Sequence, residues 1–178
     1  MENAMNESYT ATGFQSIGTR SDADGRPCFT LSVTEGETRD VAIAVTAGDT
    51  PAVYCLDGPG TGTITVSGDG PGTARRSGSG DGNAIRYGGG NGHASRDGGG
   101  HGDAWCTGAG AGDASRDGCG DGDAYRSGSG DGNAKRAGCG IGNAIRVGGG
   151  DGDAVRSGNG KGRAIRTGTG TGEAIGGD

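Results

Sequence analysis

Four pairs of oxygen-bearing side chains, Asp81 with Asn83, Asp121 with Asp123, Asp131 with Asn133 and Asp151 with Asp153, are each separated by one glycine. On an extended chain, residues two apart share a face, so each pair offers two hard donors together, the chemistry of a calcium ligand. These eight residues are the candidate metal ligands, and calcium is the one cofactor they suggest. The calcium-binding nonapeptide G-G-x-G-x-D-x-U-x has a period of nine against ten here, and several units lack an acid at the corresponding place. Asp and Asn beside glycine also serve as plain turn residues, which is the competing reading.

Arginine recurs at ten-residue intervals: Arg76, Arg86, Arg96, Arg116, Arg126, Arg136, Arg146, Arg156 and Arg166. Such a series could hold phosphate or an acidic glycan. Acids stand three residues earlier at Asp103, Asp113, Asp123, Asp153 and Glu173, so the favoured expectation is a structural ladder of ion pairs and stacked guanidiniums. The two histidines, His93 and His101, keep no fixed relation to a serine or cysteine. The sequence therefore assigns no catalytic residue. The many GxG strings include no GKS or GKT, and a glycine motif inside an unbroken glycine repeat carries no weight as a phosphate loop.

What positions these residues is a ten-residue unit running from Gly68 to the C-terminus in eleven copies, among them GSGDGNAIRY, GCGDGDAYRS and GCGIGNAIRV. GPGTGTITVS at 58 to 67 is a degenerate earlier copy. Glycine fills the first, third and fifth places of every copy. Alanine fills the seventh: Ala74, Ala84, Ala94, Ala104, Ala114, Ala124, Ala134, Ala144, Ala154, Ala164 and Ala174. Arginine fills the ninth in nine copies. Alternation of period two is a strand signal, and the glycines demand either sharp corners or close backbone approach.

A glycine-rich β-solenoid with ten residues per coil meets both demands, with coils stacked about 4.8 Å apart in a rod of roughly 50 Å. A twenty-residue coil of two units and a trimeric β-spike are the alternatives. Cys119 and Cys139 share a place two units apart, so they become neighbours only in the twenty-residue version.

The eighth place carries an apolar series, Ile85, Trp105, Tyr125, Ile145, Val155, Ile165 and Ile175, interrupted by Ser95, Ser115 and Lys135. It reads as a docking stripe, for a protein partner or for self-association. Ahead of the repeat, residues 26 to 67 read as a short antiparallel meander or cap, from runs such as CFTLSVT, RDVAIAVT and AVYCL broken by turn residues. Residues 1 to 25 read as a flexible segment. The chain is thus divided at 1–25, 26–67 and 68–178, and the fold class is all-β.

The net charge of −6 sits wholly in residues 1 to 67, with nine acids and three bases, while the repeat is neutral. A neutral repeat of interspersed signs argues against non-specific nucleic-acid binding. MENAMNESYT lacks the basic and apolar regions of a signal peptide, and no window is apolar enough to span a membrane. Cytoplasmic synthesis is the expectation, with residence in a host cytoplasm or a virion. Of five cysteines, most read as reduced small residues, with a Cys28 to Cys55 bridge open in an oxidising compartment.

The arrays GxGxGNAIRxGxGxGDAxR resemble glycine-rich decapeptide-repeat proteins of bacteriophage and actinobacterial sequences, often preceded by a threonine- and valine-rich β segment like residues 28 to 66. The resemblance covers about residues 40 to 178. It implies a viral setting and brings no activity or site residues. The functional expectation is a non-enzymatic structural or binding scaffold displaying variable side chains on a Gly/Ala/Arg frame, set against a calcium-binding β-roll-like module and a disordered glycine-rich tail.

Overall fold

In a computed structural model of the chain, which describes residues 4–10, 19–21 and 25–176, each decapeptide supplies one short strand and two decapeptides complete one turn. Among the described residues seventeen strands form two sheets, parallel throughout except for the β2–β3 pair. Sheet A contains, in spatial order, β1 (Ala4–Thr10), β4 (Thr38–Ala44), β6 (Ile64–Ser67), β8 (Ala84–Tyr87), β10 (Ala104–Thr107), β12 (Ala124–Ser127), β14 (Ala144–Val147) and β16 (Ala164–Thr167). Sheet B runs from β2 (Thr19–Ser21) and β3 (Pro27–Ser32) through β5 (Val53–Asp57), β7 (Thr73–Ser77), β9 (Ala94–Asp97), β11 (Ala114–Asp117), β13 (Ala134–Arg136) and β15 (Ala154–Arg156) to β17 (Ala174–Ile175).

The coil is therefore about twenty residues long, which corrects the ten-residue coil. Ala104 pairs with Ala84 and Ala124, whereas Ala94 and Ala114 pair with each other on the opposite sheet. The decapeptide is the sequence unit but not the structural one. A strand of four residues and a glycine corner turn the chain through only half a coil, so the next decapeptide must run back along the other sheet. Eight rungs at about 4.8 Å give a rod of about 35 Å rather than 50 Å.

The antiparallel meander is likewise corrected. β3 pairs with β5, and β4 with β6, in parallel and in the register of the repeat; only β2 joins β3 antiparallel. Residues from Pro27 onward are thus early coils of the same solenoid, lengthened by turns at Thr34–Glu37 and Thr46–Asp49, where Glu37 and Asp49 accept hydrogen bonds from the backbone N–H of Thr34 and Thr46. The flexible segment expected over residues 1 to 25 falls largely outside the described residues.

Glycine is required at the corners for two separate reasons. Gly122 has φ of 146°, which disfavours any L side chain. Gly112 has room for none: a Cβ there would lie 1.8 Å from the carbonyl oxygen of Gly92, one coil below. Backbone thus packs directly on backbone at each corner, which is why the glycines keep their places.

The interior changes composition along the rod at constant register. Phe29, Leu31, Val41, Ile43, Tyr54, Leu56, Ile64 and Val66 form an apolar core in the first coils. Beyond them, Tyr54 aligns with Ala74 and Leu56 with Arg76, and the interior becomes alanine and arginine. No helix of the described residues is long and apolar enough to cross a membrane.

Candidate functional surfaces

The ninth-place arginines point into the rod. Arg76, Arg86, Arg96, Arg116, Arg126, Arg136 and Arg146 are essentially inaccessible, and Arg156 nearly so. Their guanidiniums donate to carbonyl groups turned inward at the glycine corners. Arg126 Nη2 reaches the carbonyl oxygens of Gly110 and Gly130, both at 2.7 Å, and Arg136 donates from Nε to Gly122 at 2.9 Å and from Nη2 to Gly120 at 2.8 Å. Each arginine from Arg76 to Arg166 in this series also donates from Nη1 to the carbonyl of the residue that follows it.

The expected pairing with sixth-place carboxylates is not what holds them, since among the described residues no ninth-place arginine forms an ion pair. Five N–H donors in a rigid planar fork suit a wall of carbonyls, where lysine would offer only a compact point charge. Burial lowers the pKa values of Arg76, Arg86, Arg96, Arg116, Arg136 and Arg146. For Arg96 and Arg136 they fall to about 10, because the arginines of the adjoining rungs add to the burial effect. The series forms two columns, one per sheet, and neither is open to a dissolved anion.

Cys106 occupies the ninth place in the one internal unit without arginine. Its strand pairs with those of Arg86 and Arg126, and its Sγ lies 3.4 Å from the Gly92 carbonyl oxygen and 3.6 Å from that of Gly112. The thiol thus takes the acceptor, fourteen residues back, that Arg136 Nε finds in Gly122.

The candidate metal ligands lie along the coil edges in four columns rather than in clusters. Asp81 Oδ1 accepts from His101 N, Asn83 Oδ1 from Asp103 N, Asp121 Oδ1 from Ile141 N and Asp123 Oδ1 from Asn143 N. Asp131, Asn133, Asp151 and Asp153 do the same for the residues twenty positions on. His93 and His101 join these columns through Nδ1, accepting from Asp113 N and Asp121 N. An Asp, Asn or His at these places therefore caps the backbone N–H of the next coil, and this explains why such residues recur there, with Ala111 and Ile141 among the exceptions. Among the described residues no group of three or more His, Cys, Asp or Glu is gathered to hold a metal ion.

Cys119 and Cys139 form a disulfide between adjacent coils, with Cα atoms 4.6 Å apart. Cys28 and Cys55 are free but adjacent, Sγ to Sγ 3.1 Å.

The eighth-place stripe divides between the two sheets, and the division removes its interruptions. On the outer face of sheet A, register aligns Thr65, Ile85, Trp105, Tyr125, Ile145 and Ile165 without a break. Ser95, Ser115 and Lys135 all fall on sheet B, between Arg75 and Val155, and Ile175 follows Val155 there. Sheet B's outer face is charged: Arg75 pairs with Asp97 at 3.0 Å and Lys135 with Asp113 at 3.5 Å.

On sheet A, Trp105 is 44% exposed and Tyr87, at the strand end, 48%. The Trp105 and Tyr125 rings pack with centroids 5.4 Å apart. Alternation of the two faces every ten residues was the signal in the sequence, visible once every second unit is read separately. A shallow groove bordered by Glu7, Ser8, Asp40, Thr65 and Ile85 continues this face toward β1.

No family model, curated protein or solved structure matches this chain. The resemblance to decapeptide-repeat proteins is accordingly corrected: what the chain displays is a β-solenoid whose structural repeat is about twenty residues.

Proposed function

We propose that the protein is a non-enzymatic binding scaffold, a rigid rod whose working surface is the apolar outer face of sheet A. The observation that carries this reading is the sorting of the eighth-place residues, with an unbroken apolar row on sheet A and hydroxyl and charged residues through the middle of sheet B. Folding alone does not require such a row. The interior is already filled by alanine and arginine, and the outward side chains contribute nothing to the glycine corners. An exposed contiguous apolar row is a recognition feature more often than an accident.

The test separates frame from face. A variant carrying Trp105→Ser and Ile145→Ser, studied where the chain is monomeric, should retain a cooperative β-type melt within a few degrees of the parent. Replacement of the buried Ala114 by leucine should abolish it. Loss of folding in the surface variant would make the row part of the structural frame and overturn the scaffold reading.

A further inference from the structure

We infer that the occupant of the sheet A face is a second copy of this chain, docked face to face with the twofold axis along the rod. The inference rests on the scaffold reading and names its partner. Three observations favour a copy over an unrelated molecule.

The first is size and flatness. Six rungs at about 4.8 Å and strands of about five residues at 3.3 Å give a patch of about 29 by 16 Å. Two such patches remove about 1,000 Å² from water, the threshold for a specific interface. Parallel sheets are moreover seldom left with an apolar face in water.

The second is the chemistry of the rows flanking the apolar one. On one side lie Asn83, Asp103, Asp123 and Asn143; on the other lie the hydroxyls of Tyr87, Thr107 and Ser127, then Val147, then the hydroxyl of Thr167. A twofold axis along the rod sets Asn83, Asp103 and Asp123 against Tyr87, Thr107 and Ser127 of the other copy, carboxylate and amide facing hydroxyl, and Asn143 against Val147, while the apolar rows meet in the middle. A twofold axis across the rod would set the row of Asp103 and Asp123 against the same row of the other copy, where like charges repel. The face is self-complementary in one orientation, as an isologous interface must be.

The third is contrast with sheet B, where Arg75, Lys135 and their acid partners keep the corresponding face hydrated. Among the described residues the long continuous apolar row lies on the sheet A side, which closes the assembly at two copies.

Sedimentation equilibrium of the full chain tests the inference, together with acrylamide quenching of Trp105, the single tryptophan of the sequence. The expected result is a species of twice the chain mass in which Trp105 is shielded. Trp105→Lys should weaken association by at least about 30-fold while preserving the β spectrum. Oxidation of an Ile85→Cys variant should give a covalent dimer, because the proposed axis keeps Ile85 opposite its own copy. Val155→Cys, on sheet B, should not.

A single-chain mass at the highest soluble concentration, or a three-chain mass, would overturn the dimer. If the monomer nevertheless folds with its face residues replaced, the scaffold reading stands without it. A dimer in which Ile85→Cys does not cross-link would overturn the orientation.

Discussion

Leu56 and Arg76 occupy the same interior place on neighbouring strands, one coil apart in sheet B. The apolar side chain closes a coil built from other apolar residues, and the arginine closes one built from glycine and alanine. The exchange follows from what the corners present. Glycine corners turn carbonyl groups inward, and an interior lined by carbonyls needs donors more than it needs hydrocarbon. Arg76 answers with hydrogen bonds to Gly58, Gly60 and Gly62. Hydrogen bonds to those acceptors offset the cost of burying the guanidinium and avoid that of leaving the carbonyls unpaired.

The cost of removing one arginine is therefore set by its orphaned acceptors. Arg116 donates to the carbonyls of Gly98, Gly100 and Asp117. Arg116→Ala leaves a void and three acceptors short of a donor, and should destabilise the rod by about 3 to 5 kcal/mol. Arg116→Lys should recover part of this, since one ammonium cannot span the three acceptors. Urea unfolding of both variants provides the comparison, and equal stability of parent and alanine variant would refute a structural role for the column.

Two glycines close together in the sequence should respond in opposite ways. Gly112→Ala drives a Cβ into the Gly92 carbonyl at 1.8 Å, whereas at Gly99 nothing lies within 4 Å. The first substitution should prevent the coils from stacking and lower the melting temperature by tens of degrees or unfold the chain. The second should be neutral or stabilising by about 0.4 to 1 kcal/mol, because alanine restricts the unfolded chain. Thermal melts of the two variants decide it.

The pairing of Cys119 with Cys139 closes a loop of one coil. Constraining a loop of about twenty residues in the unfolded chain stabilises by about 3 kcal/mol in the chain-entropy account. Both cysteines are exposed, so a mild reductant should reach them without unfolding, and the melting temperature should drop on reduction. Cys119→Ser should lower it equally and make it insensitive to reductant. A disulfide mapped by peptide mass from Cys119 or Cys139 to any other cysteine would contradict the twenty-residue coil.

Much of this fold was legible in the sequence, and the reasons for the misses are physical. The alternation of Gly, Ala and Arg marked strands and corners, while Cys119 and Cys139 stood at places that become neighbours only in the twenty-residue coil, the alternative to the ten-residue one. The unit length misled because sequence periodicity counts strands, while the coil counts strands per turn. The meander misled because Thr- and Val-rich runs between turn residues look the same whether they pair antiparallel or stack in parallel. The apolar row was written in the sequence as well, but mixing Ile85 and Trp105 with Ser95 and Ser115 hid it until alternate units were separated. The inward course of the arginines was signalled by parity, since the ninth place shares a face with the alanine of the seventh, but charge at regular spacing ordinarily means a solvated face and reads that way.

Calcium should leave the melting temperature unchanged. At Asp81, Asp121, Asp123, Asp131, Asp151 and Asp153 one carboxylate oxygen already accepts a backbone N–H of the next coil. A cation would have to bind the remaining oxygens of a column rather than a closed cluster. A ligand selective for the folded chain must raise its stability. Melts with excess calcium and with a chelator are expected to coincide, and a calcium-dependent rise would restore the paired residues as ligands.

The free thiols give the last prediction, one of pH. Burial pushes the Cys55 thiol up to about 12, with hydrogen bonding to Cys28 adding to the effect, and burial also raises the Cys106 thiol. The thiolate is the reacting species, so iodoacetamide at pH 8 should leave Cys55 and Cys106 unmodified in the folded protein and label both in denaturant. The sign for stability follows from the same shift. Between the ordinary thiol value near 9 and about 12, the unfolded chain has released a proton that folded Cys55 still holds. This contribution to stability is full below pH 9 and is lost as the pH rises through about 12. Replacing Cys55 with alanine should therefore flatten the fall in melting temperature between pH 9 and 11. If the parent and the variant decline in parallel, the buried thiol is not what couples the rod to alkaline pH.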